Sequence, residues 1–359
     1  MQAGFFLGAN SKHGFYSLYD DLIDLERATA VYIIKGSPGC GKSSFMRRVM
    51  NKMLDAGLAV EQIFCSSDPG SLDAIIIPAL GAAFVDGTAP HVVEPRFPLA
   101  VEQYLNLGTF ADVAAIRAKK EDILHTTKRY HAGFDGVYRL LNGAAALESE
   151  LFDLALGGIS VERLRKKAAG IIAREIRGHG AGGEKKRRFL SAISPDGCVT
   201  LFDTIPALAE NIFVLEDQFG LGMFLLQPIL DAALDAGYDA YAAYSPLMPE
   251  RLEHVIIPEL SLAFVTSKKS APYPGAYKRR IRIDAMIDPE ILRQNKKKIA
   301  FSRKLSASMC AQACGILHDS KRIHDQIEAF YNPHIDFDGV YHCADALAAE
   351  LLQHARQGE

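Results

Sequence analysis

The sequence predicts an α/β protein built as two related tandem halves, each with a mainly parallel sheet flanked by helices, plus further helical segments. Three observations carry this. The 359 residues suit about two domains. A β-branched run, a glycine-rich turn and an amphipathic stripe follow one another over residues 31–53. Residues 54–85 reappear at 234–265 without a gap, 13 of 32 positions being identical, where roughly two would match by chance. Composition agrees: 49% apolar and 23% charged residues exclude a wholly disordered chain. The formal charge of −3 provides no global basic field for nucleic acid. The N-terminus has no leader pattern and no apolar stretch approaches the roughly 20 residues of a membrane span. The six cysteines follow no disulfide framework, so a reducing cytoplasm is the expected compartment.

Residues 31–35, Val-Tyr-Ile-Ile-Lys, read as a buried strand. Residues 36–43 then match G-x-x-x-x-G-K-[ST] at every fixed position, and Phe45, Met46, Val49, Met50 and Met53 form one helical stripe. Strand, glycine loop and helix are the context that this phosphate-binding loop requires. The first half therefore reads as a P-loop NTPase-like domain with ATP and Mg²⁺ as expected cofactors. Gly36, Ser37, Gly39, Cys40, Gly41, Lys42, Ser43 and Ser44 are the candidate nucleotide cradle. Glycines let N–H groups converge on phosphate oxygens, and a helix N-terminus adds donors. Lys42 can bridge the β and γ phosphates, and Ser43 can offer its hydroxyl to Mg²⁺.

A second strand is expected at 60–65 after the Gly57 stop, and a third at 80–85. Ala82 to Val85 followed by Asp86 resembles a strand ending in a metal-supporting carboxylate, which makes Asp86 a candidate beside Ser43. The alternative for Asp86 is a turn residue with Gly87. Asp68 follows the second strand. It either takes a proton from an acceptor hydroxyl, or caps a helix starting near Ser71. His91 either meets phosphate or substrate, or is a turn residue. Cys40 stands at a helix N-terminus, where a thiol pKa can fall.

The second half repeats the apolar framework and loses the chemistry. After its strand at 211–215, Gly220 and Gly222 align with Gly39 and Gly41, while Met223 and Phe224 fall where Lys42 and Ser43 stand. Glu216 and Asp217 put negative charge where phosphates would sit. Thr266 and Met248 replace Asp86 and Asp68. The expected domains are 1–180, with the intact nucleotide site, and 187–359, degenerate and structural or regulatory. The glycine-rich, basic residues 178–188 read as a solvated linker. Lys268, Lys269, Arg279, Arg280 and Arg282 are possible charge donors to the first site. Residues 101–107, 111–130, 137–176 and 289–330 look helical, and Lys119, Lys120, Lys128 and Arg129 offer either a lid or a polar helix face.

Four segments carry a resemblance to a family. They are residues 5–20 (Phe-Phe-Leu-Gly-Ala-Asn to Gly-Phe-Tyr-Ser-Leu-Tyr-Asp), residues 35–43, Cys65-Ser-Ser-Asp-Pro69 with Leu72-Asp73, and Asp86-Gly-Thr-Ala-Pro-His91. Over nearly the whole chain the sequence resembles an uncharacterised bacterial ATPase family with duplicated P-loop halves. The resemblance implies nucleotide binding; the second half departs from the pattern. The combined expectation is a Mg²⁺-dependent ATPase with one site in the first half, and Lys42, Asp86 and Asp68 as its catalytic candidates. The alternatives are a small-molecule kinase using Asp68 as base, and a nucleotide-dependent switch with negligible turnover. The expected partners are a nucleotide and an unidentified acceptor or protein, with no membrane. Basic runs at 184–188 and 295–304 keep nucleic acid open, though no recognition motif supports it.

Overall fold

The computed structural model describes residues 2–178, 180 and 182–357. The first half contributes β1 (Gln2–Phe6), a hairpin of β2 (Gly8–Ser11) and β3 (Gly14–Ser17), β4 (Ala30–Lys35), α1 (Lys42–Asp55), β5 (Val60–Cys65), β6 (Asp68–Ile77), β7 (Ala82–Asp86) and β8 (Glu102–Asn106). Helices α2 (Val113–Arg117), α3 (Lys120–Ala132), α4 (Phe134–Leu156) and α5 (Val161–Glu175) follow. The second half repeats the series as β9 (Lys185–Phe189), the hairpin β10 (Ser191–Ser194) and β11 (Gly197–Thr200), α6 (Thr204–Leu208), β12 (Asn211–Glu216), α7 (Met223–Asp235), β13 (Ala240–Tyr244), β14 (Leu252–Ile257), β15 (Leu262–Ser267) and β16 (Arg279–Arg282). It ends in α8 (Pro289–Gln294), the 36-residue α9 (Lys296–Tyr331) and α10 (Phe337–Gln357). No helix among the described residues is long and apolar enough to cross a membrane.

One mostly parallel sheet of 12 strands organises the molecule, in the order β16-β12-β15-β14-β13-β9-β1-β5-β6-β7-β4-β8. Each half has the same internal order, with its third-ranked strand (β6 or β14) antiparallel to both neighbours. The halves join where β1 meets β9 antiparallel at Phe6 and Phe189. Antiparallel pairing of equivalent strands relates the half-sheets by an approximate two-fold axis. One face carries a continuous core from Val31 and Val85 through Phe5 and Phe6 to Val214 and Val265, under the two hairpins and α6.

The opposite face carries two separate helical layers, and the halves exchange helices to build them. Val340, Ala344, Ala348 and Leu351 of α10 pack with Phe45, Met46 and Val49 of α1 over the first half-sheet. Leu164, Ala168 and Ile171 of α5 pack with Leu225, Leu226 and Ile229 of α7 over the second. Between these layers α4 lies along α9, with Val137 and Leu141 buried against Ala313 and Leu317. The second strand series starts at Lys185, so the expected start at 187 falls inside β9, and the packing crosses the boundary between 1–180 and 187–359 in both directions.

Several local expectations are corrected. Residues 102–106 form a strand because they pair in parallel with β4, from Val31 opposite Glu102 to Lys35 opposite Asn106. No helix starts at Ser71: residues 68–77 are a strand, held between β5 and β7. The third strand begins at Ala82 rather than at 80, because Pro78–Leu80 is a 3₁₀ turn. The basic end of the expected linker is β9, at the centre of the sheet (His179 and Ala181 of that segment lie outside the described residues). Arg188 is 2% exposed there. Its Nε donates to Glu61 Oε1 at 2.5 Å and its other nitrogens to the carbonyls of Asp21, Leu22 and Arg187. Tyr241 donates to the second oxygen of Glu61 at 3.1 Å. Removing one member of a buried, satisfied pair strands the other charge. Arg188→Ala is therefore expected to cost about 3–5 kcal/mol of unfolding free energy, measurable by urea denaturation.

Candidate functional site

The site starts at the carboxyl end of β4, an inner strand flanked in parallel by β7 and β8. The chain leaves the sheet at Gly36 and turns back through Gly39 (φ +69°) and Gly41 (φ +88°), left-handed values that side chains rarely accept. Gly41 immediately precedes α1 and accepts the Phe45 N–H at 2.8 Å. A Cβ on Gly36 would collide with the Cys40 sulfur. Cys40 is buried beneath the loop, and burial pushes its thiol pKa up. The expected lowering at a helix N-terminus loses to desolvation.

Lys42 folds back along the loop. Its Nζ donates to Gly36 O at 3.2 Å and to Ser37 O at 3.1 Å, and lies 3.6 Å from Asp86 Oδ2. Ser43 Oγ accepts the Leu72 N–H at 3.0 Å, which ties the loop to β6. Ser37 Oγ is buried without a hydrogen-bond partner. Ser44 is exposed on the first turn of α1. Asp86 ends β7, with Oδ1 held by the Thr88 N–H at 2.9 Å and the Thr88 hydroxyl at 2.6 Å. Sheet order thus brings Lys42, Ser43 and Asp86 to one edge, as read from sequence. Asp68 stands further out, 3.4 Å from Lys321 Nζ of α9.

Asp73 and Tyr19 were given no role by the sequence, and they join the candidate His91. Asp73, on β6, is buried and accepts the Tyr19 hydroxyl at 2.7 Å. Burial raises the Asp73 pKa against the opposing charge of His91. Tyr19 also rises, through burial first and Asp73 second. His91 is 7% exposed and stacks on Tyr19 with ring centroids 4.7 Å apart. It is buried in the site and is also a turn residue, its N–H donating to Thr88 O at 3.1 Å.

The second half forms the opposite wall. Glu328 and Asn332, at the end of α9 and just beyond it, crowd Gly39 so closely that a Cβ there would strike Asn332. Phe337 and Val340 of α10 stand over Gly41. A cavity of about 920 Å³ extends from the loop past Asp68 and His324 to Tyr130, Phe134 and Tyr138. The basic residues Lys268, Lys269, Arg279, Arg280 and Arg282 do not reach it. They belong to β16 and to the segment after β15, strands that stand ten and eight places from β4 in the sheet, or roughly 40–50 Å at about 4.8 Å per strand. Arg280 pairs instead with Glu216, and Lys268 with Glu253. Lys119, Lys120, Lys128 and Arg129 are exposed and outside the cavity lining.

The corresponding loop of the second half is filled by its own side chain. Asp217 is 2% exposed and accepts the N–H groups of Phe219 (3.2 Å), Leu221 (3.0 Å) and Gly222 (2.6 Å). A carboxylate thus lies where converging donors would otherwise meet an external anion. Glu216 points elsewhere, to Arg280. Asp217→Ala would strand three buried donors, each worth about 1–3 kcal/mol when unmet. With partial relief by water, a loss of roughly 2–4 kcal/mol is expected in chemical denaturation.

Chemically, the first loop can take an anion at its N–H groups and Lys42, with a hydroxyl and carboxylates at hand for a cation. Comparison of the chain with protein families, curated proteins and solved structures returned no match.

Proposed function

We propose that the first half binds ATP with Mg²⁺ at residues 36–44 and hydrolyses it, and that the second half is a degenerate P-loop-like copy that binds no nucleotide. One observation carries the reading: the G-x-x-x-x-G-K-S loop joins a parallel strand to a helix, with Lys42 3.6 Å from the carboxylate ending the next strand. The orphaned Ser37 hydroxyl and the carbonyl-bound Lys42 ammonium suit an anionic ligand that supplies better partners. The backbone N–H groups of the loop and Lys42 would hold phosphate oxygens. Ser43 and Asp86 would hold Mg²⁺, which neutralises phosphate charge when bound. The absence of an N-K-x-D sequence favours ATP over GTP.

The cavity supports a second reading, phosphoryl transfer to a small acceptor. It continues beyond the loop to an aromatic wall, with Asp68 at its side. In that reading Asp68 accepts the proton of the attacking hydroxyl. The packing of Glu328 and Asn332 on Gly39 also suits a switch in which nucleotide repositions α9.

Titration calorimetry with ATP·Mg²⁺, paired with phosphate release without an added acceptor, tests the set. One nucleotide per chain with steady release is expected. One nucleotide without release would favour transfer or a switch. Two per chain would overturn the account of the second half.

A further inference from the structure

Two carboxylates oppose each other across the sheet beside the glycine loop. Strand β6 pairs antiparallel with β7, Ala74 opposite Val85. Just beyond that pair, at an irregularity in β6, Asp73 and Asp86 bring carboxylate oxygens within 4.8 Å of each other. Like charges held this close on neighbouring strands are destabilising. Among the described residues, the ion pairs made by these acids are Lys42 with Asp86 and His91 with Asp73.

The His91 geometry does not fit an ordinary hydrogen bond. Nδ1 is buried with no partner, and Nε2 stands 3.6 Å from Asp73 Oδ1. That is too long to donate well. It is close to the separation of about 3.4 Å between two ligands each about 2.1 Å from one tetrahedral ion. One ligand atom from each of Asp73, Asp86 and His91 lies within 4.8 Å of the others. The remaining oxygens are already oriented, Asp73 Oδ2 by Tyr19 and Asp86 Oδ1 by Thr88. Such outer contacts are what hold metal-binding carboxylates in place.

The second half gives an independent comparison. There the 180-residue repeat puts Glu253 and Thr266 where Asp73 and Asp86 stand in the first half. One acid has become a hydroxyl, and the Lys268 ammonium is bound to the acid that remains. In the first half Lys42 likewise stands 3.6 Å from one acid, Asp86, but the second acid, Asp73, is left facing only an imidazole at 3.6 Å. That extra carboxylate and the imidazole beside it distinguish the first half from the second.

We propose that Asp73, Asp86 and His91 form a binding site for a divalent first-row transition-metal cation. The imidazole selects for the Mn²⁺, Fe²⁺, Co²⁺ and Zn²⁺ class, since Mg²⁺ prefers oxygen ligands alone. The site shares Asp86 with the cation of the nucleotide reading, but its three ligands stand without nucleotide.

The test is titration of the metal-stripped full-length protein with Co²⁺ in the absence of nucleotide, followed by visible absorption, with thermal melting of each variant to confirm folding. One Co²⁺ per chain is expected. His91→Ala and Asp73→Asn are each expected to weaken binding at least about 10-fold. Lys42→Ala should bind Co²⁺ as well as the wild type or better. Absence of Co²⁺ binding by the wild type, unchanged affinity in folded His91→Ala, or displacement of Co²⁺ by an equal concentration of Mg²⁺ would overturn the site. Co²⁺ binding with no ATP binding overturns the nucleotide reading alone. ATP binding with no Co²⁺ binding overturns the metal site alone.

Discussion

Lys42→Ala is expected to weaken ATP·Mg²⁺ binding on the order of 100-fold, because a charge-assisted contact to phosphate is worth about 1.5–3 kcal/mol and each 1.4 kcal/mol is a factor of ten. The folded protein should barely register the change. Lys42 Nζ presently meets two neutral carbonyls of its own loop and stands beside one partly exposed carboxylate. Calorimetry reads the affinity, and a melting curve on the same sample reads the fold. Unchanged affinity in a folded variant would remove residues 36–44 as the nucleotide site. The opposite combination, normal affinity lost together with the melting transition, would show that Lys42 holds the loop rather than the ligand. Its weak set of partners argues against that outcome.

The second large effect concerns the fold. Expressed separately, residues 1–180 and 182–359 are each expected to lack a cooperative melting transition, and to regain one when combined. The reason is the helix exchange. Without α10, the first half loses Val340, Ala344, Ala348 and Leu351 from the face of α1. At about 1.5–3 kcal/mol per fully buried large side chain, and less for alanine, that layer accounts for several kcal/mol, against a usual net stability of 5–15 kcal/mol. Without α5, the face of α7 is bared in the same way. A sharp melting transition in residues 1–180 alone would show that the strand repeat, not the packing, defines the folding unit. Size-exclusion chromatography of the mixture distinguishes reassembly from aggregation.

The glycine loop was legible because its information is local. A buried strand, a spaced motif and a helical stripe lie within 23 consecutive residues, and the structure places them as a strand, a turn and a helix. The repeat was legible because apolar positions in β6, β7, β14 and β15 recur in register. Other features depend on distant partners. Asp68-Pro69-Gly70-Ser71 has the composition of a turn leading to a helix, yet the chain reverses earlier, at Ser66-Ser67, and Asp68 already pairs with Cys65 of β5. Lys185 to Arg188 resembles a solvated charge run, but Arg188 finds Glu61, distant in sequence, and three carbonyls. The helix α10 was not anticipated, and its packing on α1 of the other half is set by distant partners. Asp73 and His91 come together only through strand register and the Tyr19 stack, neither of which leaves a motif.

The second half is best understood as a copy already saturated from within. Asp217 satisfies its loop donors, and Lys268 satisfies the acid of its neighbouring strand. An anion and a cation are thus both encoded covalently in the chain. Such a copy has no occupied and empty forms to alternate between. The first half, whose corresponding groups depend on what arrives from solution, can alternate. Because α9 and α10 run from the saturated copy onto Gly39 and Gly41, any rearrangement of the first loop is felt by helices that belong to the other half. On the proposed nucleotide reading, the responsive copy would start a movement and the silent copy would carry it through α9.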